Sequence, residues 1–587
     1  MSLRFSCSLF VLSIAMAVAQ PMSANDKNDK HDNDNDHRKN DVCTEFDRDH
    51  GHGHAYGHDK KFRCPPRGSS SGIAKGDFNG DGIGDLAIGA PGEDLSVVIL
   101  GQTRSAVNGG VVHVIYGTTA SGLAASGTGI PNTQEFSEPF LSTNFNEIAG
   151  NNDNFGASLA SGDFDGDGFS DLAVGVPGKN IGISSRGAVE IFEGSSTGLK
   201  TASTAFFGPD TFTTVATVSN SSGATSLTWA DFNNDGFGDL AVASSYSKDG
   251  GLTQLGCVTV LFGSAAGLST AGKLQFEFDT HSVQNPFPLQ PVPLVLSAGD
   301  FNHDGFSDLV AGSPTANLVG PISGAGVVHV LFGSPTGPRL AGAQTWSENS
   351  PNIPSSANQN EEFGTSVAVG DFNGDTFDDL AVGAPRELVG SNSLSAGAVF
   401  EIFGSSVGLQ SPSSGALVSR TFIQSDVPGS TANAVAVGDF FGNSLAAADF
   451  NGDGFKDLAI GAPGDDIAGV SQAGTVNVIY GSSTGLDPNA IGSRAPDTFH
   501  EPSFMTPQTS DEFGTSLIGW NFGQTAAADL AIGMPLKNWN GVTDAGAVVV
   551  FYGSTTGLTP FLQVWAQGTN GLPDTPRAGN HFGQAVY

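Results

Sequence analysis

Residues 449–463 read DFNGDGFKDLAIGAP, and the phrase returns five more times. It stands as DFNGDGIGDLAIGAP at 77–91, DFDGDGFSDLAVGVP at 163–177, DFNNDGFGDLAVASS at 231–245, DFNHDGFSDLVAGSP at 300–314 and DFNGDTFDDLAVGAP at 371–385. A seventh, degenerate copy is NFGQTAAADLAIGMP at 521–535. First aspartates of successive intact copies lie 86, 68, 69, 71 and 78 residues apart, and Asp457 precedes Asp529 by 72. Self-similarity at a near-fixed period marks a repeat architecture, in which each unit covers its apolar face with the next.

Every unit reads as strands. A short run of small residues such as GASLASG precedes the acidic phrase, and a β-like DLAVG closes it. An alternating segment follows: GVVHVIYG, GAVEIFEG, CVTVLFG, GVVHVLFG, GAVFEIFG, GTVNVIYG or GAVVVFYG. After a glycine-rich turn comes an aromatic-bearing stretch such as LQFEFDT or LQVWAQG. That is four strands per unit with no helical period. Seven four-stranded units set radially predict an all-β, seven-bladed β-propeller over residues 69–587; a two-sheet sandwich array is the structural competitor.

The acidic loop carries the chemistry. Oxygen side chains recur at positions 1, 3, 5 and 9, with a main-chain carbonyl at position 7. The six sets are Asp77, Asn79, Asp81, Ile83 and Asp85; Asp163, Asp165, Asp167, Phe169 and Asp171; Asp231, Asn233, Asp235, Phe237 and Asp239; Asp300, Asn302, Asp304, Phe306 and Asp308; Asp371, Asn373, Asp375, Phe377 and Asp379; Asp449, Asn451, Asp453, Phe455 and Asp457. Alternate residues of a tight loop can point at one centre, as in an EF-hand loop. Here position 12 of the first copy is Ile88, inside a strand, so the loop is shorter and joins strands. Hard oxygen donors without His or Cys predict Ca²⁺, at about six sites. Positions 1, 3, 5 and 9 of the six loops hold nineteen aspartates, which repel one another without a cation. The second loop, with aspartate at 1, 3, 5 and 9, is expected to bind tightest. Thr376 stands where the other five loops have glycine, and a left-handed conformation there would strain the turn. The seventh loop keeps only Asp529 of the acids and is expected to bind no metal.

These residues resemble the FG-GAP repeat family, the propeller of integrin α-chains and many exported bacterial proteins. Phe-Gly stands eight residues before the loop at Phe155-Gly156, Phe363-Gly364 and Phe441-Gly442, and opens the degenerate unit at Phe513-Gly514. Gly-Ala-Pro closes the phrase at residues 89–91, 383–385 and 461–463. Units three and four lack the Phe-Gly. The resemblance implies calcium in the loop between the first two strands of a blade, and a role in adhesion or interaction with a protein or glycan ligand at a propeller face. No RGD and no adjacent von Willebrand-like insert accompanies it, so integrin-type receptor function does not transfer. The family's propeller is also similar to the accessory part of glycosylphosphatidylinositol-specific phospholipase D. The alternative function is therefore a calcium-dependent hydrolase, or the non-catalytic propeller part of one.

The remaining sequence narrows the partners. Among 587 residues there are 24 Lys+Arg against 59 Asp+Glu, a net charge of −35, which argues against nucleic acid. Six Ca²⁺ would reduce it to −23. Residues 1–19, with Arg4, an apolar Phe5–Ala19 run and Ala17-Val18-Ala19, read as a secretory signal peptide. The run is shorter than the ~20 residues of a spanning helix. The expected location is secreted, cell-surface or periplasmic. Residues 20–68 read as a disordered Asp/His/Asn-rich segment, too short for a catalytic domain. Its His50, His52, His54 and His58 could bind a transition metal, and Cys43 and Cys64 are a plausible disulfide. Cys257, inside an apparent strand, reads as a buried small hydrophobe. G-x-S-x-G occurs around Ser196, Ser406 and Ser483, each in the same turn after an equivalent strand, so these read as hairpin turns rather than nucleophiles. His113, His281, His303, His329 and His500 form no metal-binding motif.

Overall fold

The computed structural model describes residues 76–99, 101–127, 129–140, 148–180, 187–212, 219–248, 253–281, 294–318, 322–390, 394–410, 419–427, 435–489, 494–560 and 562–587. Residues 1–19, read above as a signal peptide, the histidine-rich segment, Cys43 and Cys64 lie outside them. Seven antiparallel four-stranded sheets form the blades of a β-propeller. The second blade shows the plan: Ser158–Gly162 innermost, then Asp171–Val176, Ala188–Phe192 and Ala205–Phe207 outermost. Its register pairs Gly162 with Asp171, Val176 with Ala188 and Ile191 with Ala205. The third blade has the longest strands, Ser219–Ala230 to Ser269–His281. The remaining blades begin at Val295, Ser366, Ser444 and Ser516. No helix among the described residues is long and apolar enough to cross a membrane.

Burial explains the strand compositions. The second strands (LAIGA, DLAVGV, DLVAGS) and third strands (VVHVI, AVEIF, AVVVF) are buried at every position, because both faces of a blade are covered by neighbouring blades. Innermost strands such as SLASG and SLAAA carry small residues, as the crowded ring axis requires. Cys257 is buried in the third strand of its blade.

The Phe-Gly and Gly-Ala-Pro glycines meet across blade boundaries. A Cβ on Gly89 would lie 2.1 Å from the carbonyl oxygen of Gly156, one on Gly383 would lie 2.1 Å from that of Gly442, and one on Gly461 2.3 Å from that of Gly514. The receiving glycine has φ +86 to +95°, a left-handed conformation that its carbonyl direction depends on. The carbonyls of Gly442 and Gly514 also accept a bond from a serine of the preceding blade, Ser366 Oγ to Gly442 at 2.7 Å and Ser444 Oγ to Gly514 at 2.6 Å. The phenylalanines beside them (Phe155, Phe363, Phe441, Phe513) are fully buried between blades. Each contributes on the order of 2–3 kcal/mol.

The first blade takes its innermost strand from the other end of the chain. Ala585–Val586 pairs antiparallel with Leu86–Ala90, and the sheet continues through Val111–Ile115 to Gln134–Phe136. Phe582-Gly583 does for the first blade what Phe-Gly does elsewhere: the Gly583 N–H donates to the Gly89 carbonyl at 3.0 Å, and Ser516 Oγ donates to the Gly583 carbonyl at 2.7 Å. A ring closed by strands from both ends leaves no sheet edge at the seam.

Candidate metal loops

In the second to sixth blades the acidic loop joins the innermost strand to the second strand, and position 9 is the first residue of that second strand; in the first blade the loop leads into a second strand that begins at Leu86, one residue after Asp85. In the first blade the innermost strand is the one donated from residues 585–586. The loop is a chain of side-chain-to-backbone turns. In the first copy Asp77 Oδ1 and Oδ2 accept the N–H groups of Asp81 (3.0 Å) and Gly82 (2.8 Å). Asn79 Oδ1 accepts from Asp81 N–H, and Asp81 Oδ1 from Ile83 N–H, both at 2.9 Å. The same bonds recur at Asp231, Asn233 and Asp235; Asp300, Asn302 and Asp304; Asp371, Asn373 and Asp375; and Asp449, Asn451 and Asp453. Side-chain oxygens at 1, 3 and 5 are thereby held on one side of the turn, and position 7 (Ile83, Phe169, Phe237, Phe306, Phe377, Phe455) donates its N–H to position 5.

In the second loop, one carboxylate oxygen from each of Asp163, Asp165 and Asp171 lies within 4.8 Å of the others. Calcium–oxygen bonds of 2.3–2.6 Å place oxygens on opposite sides of one ion about 4.6–5.2 Å apart, so this spread fits a single hard cation. Burial raises Asp163 above its usual range against N–H bonds from Gly168, Gly166 and Asp167; burial and the Asp167 charge raise Asp165. Asp167 completes the set at position 5, its Oδ1 accepting from Phe169 N–H at 3.0 Å.

Position 9 has a second task. Asp171 accepts from the N–H groups of Phe164 (3.0 Å) and Gly194 (2.9 Å), tying its own loop to the turn after the third strand. Asp85, Asp239, Asp308, Asp379 and Asp457 make the same pair of bonds, and so does Asp529 of the degenerate copy, to Phe522 and Gly553, both at 2.8 Å. Burial raises Asp171, Asp239, Asp308, Asp457 and Asp529 to about 8 and Asp379 to about 9, with the two backbone bonds opposing it. The rest of the seventh loop closes with an amide: Asn521 Nδ2 donates to the Thr525 carbonyl at 2.9 Å, and Asn521 Oδ1 accepts from Gly523. That loop offers a cation one carboxylate where the others offer three or four.

Two positions per loop are left-handed. Position 6 is glycine at φ +86 to +95° in five loops, and in the remaining one, the fifth, Thr376 adopts φ 78°. A β-branched residue in that region is strained by about 1–3 kcal/mol. Position 4, not singled out from sequence, is also left-handed: Gly80, Gly166, Asn234, His303, Gly374 and Gly452 have φ 53–74°. The signal was there, since glycine and asparagine prevail at it.

These roles separate under mutation. Asp165→Ala is expected to lose about one bound Ca²⁺ per chain with little change in the metal-free melting temperature, because its side chain is half exposed. Asp529→Ala is expected to leave the calcium count unaltered yet cost about 2–4 kcal/mol, because two buried N–H groups lose their acceptor. Calorimetric titration and thermal melts of the two variants check both; seven sites in the parent would show the degenerate loop misread.

Comparison with known proteins agrees with the repeat pattern. The FG-GAP repeat model matches residues 70–115, 155–192, 223–261, 293–331, 363–400 and 441–479. The bovine phosphatidylinositol-glycan-specific phospholipase D (Bos taurus) is 34% identical over 200 residues, 34% of this chain and 22% of that protein. Integrin alpha-V of Gallus gallus is 31% identical over 230 residues, 38% of this chain and 18% of that protein. Integrin alpha-PS2 of Drosophila melanogaster is 29% identical over 245 residues, 40% of this chain and 15% of that protein. The chain spans less than a quarter of the length of each. With six matched repeats and a seventh blade of the same construction, the chain belongs to the FG-GAP repeat family, as an integrin-α-like β-propeller.

Proposed function

We propose that this protein is an exported interaction module, stabilised by calcium in its six intact loops, that binds a protein or glycan partner on the face opposite those loops. One observation carries the choice of face. A second strand starts at the acidic loop and ends at Gly-Ala-Pro, so the connections after second and fourth strands share the far face. Among the described residues six large hydrophobic side chains are exposed, and five of them, Val98, Val107, Leu388, Val437 and Phe504, lie in those far-face connections. Val98 belongs to a hairpin, Leu95–Ile99 with Gln102–Ala106, that is additional to the four-stranded plan, and Val107 follows it directly. Surface apolar groups gathered on one face suit a binding role. Calcium would be held by the carboxylates at 1, 5 and 9, the position 3 oxygen and the position 7 carbonyl, and would neutralise loops that otherwise repel themselves. Export rests on the reading of residues 1–19.

The hydrolase alternative has the phospholipase D relatives in its favour, but the serines that suggested a nucleophile are turn residues. Ser196, Ser406 and Ser483 each bridge to a glycine two residues on, and Thr555 does the same without the motif. The test is capture of partners from native surface or medium, in calcium and in chelator. A Val98→Asp, Val437→Asp, Phe504→Asp triple variant is expected to lose capture, and Val407→Asp, on the loop face, to retain it. Equal capture by both would move the binding site off this face.

A further inference from the structure

Three positions meet at five of the blade seams: the residue two after the proline of Gly-x-Pro, the residue two after the aromatic of the preceding outer strand, and the residue two before Phe-Gly. In the second blade they are Lys179, Glu138 and Asp153. Lys179 Nζ lies 2.5 Å from Glu138 Oε1 and 3.0 Å from Asp153 Oδ2, and donates to the Ile148 carbonyl at 2.7 Å. In the seventh blade Lys537 Nζ lies 2.5 Å from Glu501 Oε1 and 2.8 Å from Asp511 Oδ2, and donates to the Thr506 carbonyl at 3.0 Å. In the first blade Glu93 accepts from Gln567, with Asn580 as the third member; in the sixth two acids, Asp465 and Asp439, are present, and Asp465 accepts from Gln424 at 2.7 Å and Thr475 at 2.9 Å. The fifth blade differs. Its three positions are Glu387, Glu348 and Glu361, with 6%, 1% and 0% exposure, and one oxygen from each lies within 4.8 Å of the others.

Among the described residues no cationic side chain pairs with them. Arg386, next in the chain, pairs with Glu362 at 3.0 Å and lies over the Phe440 ring. Glu361 is supplied with donors by Asn358 and Leu388. Ser355 Oγ reaches Glu387 Oε1 at 2.7 Å and Glu348 Oε2 at 3.3 Å, but has one proton to give. Glu348 Oε1 and Glu387 Oε2 are buried with no hydrogen-bond donor. A buried carboxylate oxygen without a partner costs several kcal/mol, and at the two sister seams the position of Glu387 is held by a lysine whose ammonium meets the other two carboxylates.

We propose that Glu348, Glu361 and Glu387 bind a calcium ion that takes the place of the lysine ammonium. Three carboxylates and the Ser355 hydroxyl are hard oxygen donors with no His or Cys among them. Ser356 stands five residues before Glu361, as Ile148 stands before Asp153 and Thr506 before Asp511, which gives its carbonyl the corresponding place. The site is separate from the acidic loops: it lies at the opposite end of strand Asp379–Ala384 from Asp379, about 20 Å away at 3.3 Å per residue.

The experiment is a metal count by mass spectrometry after equilibrium dialysis against calcium, on the full chain and on Glu387→Lys. That substitution reproduces the arrangement of Lys179 and Lys537, so the variant is expected to fold, to bind one calcium fewer than its parent, and to melt higher than the parent in chelator. Glu348→Gln is expected to lose the same single ion and to lose part of the calcium-induced rise in melting temperature. The difference in count reads this site whether or not the loops bind, so its failure and that of the loop reading are distinguishable. Equal counts in parent and both variants would overturn the proposal and leave three carboxyl groups sharing protons.

Discussion

Deleting residues 580–587 is expected to lower the melting temperature by about 5 °C or more and to open both ends of the ring to protease. The segment buries Phe582 completely and Val586 almost so. It pairs Tyr587 with Ala87 through two backbone bonds of 2.8 and 2.9 Å, and Gly583 with Gly89 at 3.0 Å. Asn580 Nδ2 donates to Gln567 Oε1 at 2.6 Å in the buried seam cluster that includes Glu93. Losing one buried Phe costs about 3–5 kcal/mol, and the remaining apolar and backbone contacts bring the total to roughly 5–8 kcal/mol. Unfolding entropy near 2.1 cal/mol/K per residue gives a chain of roughly 500 ordered residues about 1 kcal/mol per degree. The deletion also exposes Leu86–Ala90 as a free edge, so aggregation should accompany the loss. Phe582→Ala alone is expected to give about half the shift. Differential scanning calorimetry with limited proteolysis decides it. An unchanged melting temperature and an uncut product would mean that the closing strand contributes nothing.

The closing strand was half legible: residues 582–587 repeat the opening of a unit without its loop, which suits either a ring-closing segment or a truncated eighth repeat, and the pairing of Ala585–Val586 with Leu86–Ala90 selects the first. The blade plan was legible because one phrase, repeated in register, dictates one local structure seven times. Position 9 was only half legible. Its carboxylate bonds to N–H groups 7 residues back and 23–32 residues ahead, and no local spacing announces so distant a backbone partner. The seam clusters were illegible for a further reason. Their three residues come from segments tens of residues apart, and the one that follows Gly-x-Pro changes from lysine to glutamate to aspartate between units, so no fixed motif exists to find. What is common to them is position relative to Phe-Gly and Gly-x-Pro, which acquires meaning once those glycines are known to lock adjacent blades.

Removing calcium is the second large expected effect, and its size should depend on pH. A ligand that binds only the folded state adds RT ln(1+[L]/Kd) per site. With Kd of about 10⁻⁴–10⁻³ M, as in extracellular modules, 1 mM Ca²⁺ adds about 0.4–1.4 kcal/mol at each loop. Six loops then contribute about 2–8 kcal/mol, or roughly 2–8 °C on the scale above. Magnesium, which dehydrates reluctantly and demands octahedral geometry, should do less. The pH dependence follows from the position 9 carboxyls. Burial raises Asp171, Asp239, Asp308 and Asp457 to about 8 and Asp379 to about 9 in the folded chain, whereas an unfolded aspartate titrates near 3.9. Between about pH 4 and 8 the metal-free folded state therefore holds protons that the unfolded state has released. Its stability falls as pH rises through that window. Calcium bound at those carboxyls would replace the protons, so the calcium-induced rise in melting temperature should be larger at pH 8 than at pH 5.5. Thermal melts of protein stripped by chelator at pH 8 and exchanged into each buffer, with and without calcium, measure both differences. Coincident melting curves with and without calcium at pH 8 would sink the calcium reading. A calcium effect equal at the two pH values would show instead that protons and the ion do not compete for the same carboxylates, and would place the ion on positions 1, 3 and 5 alone.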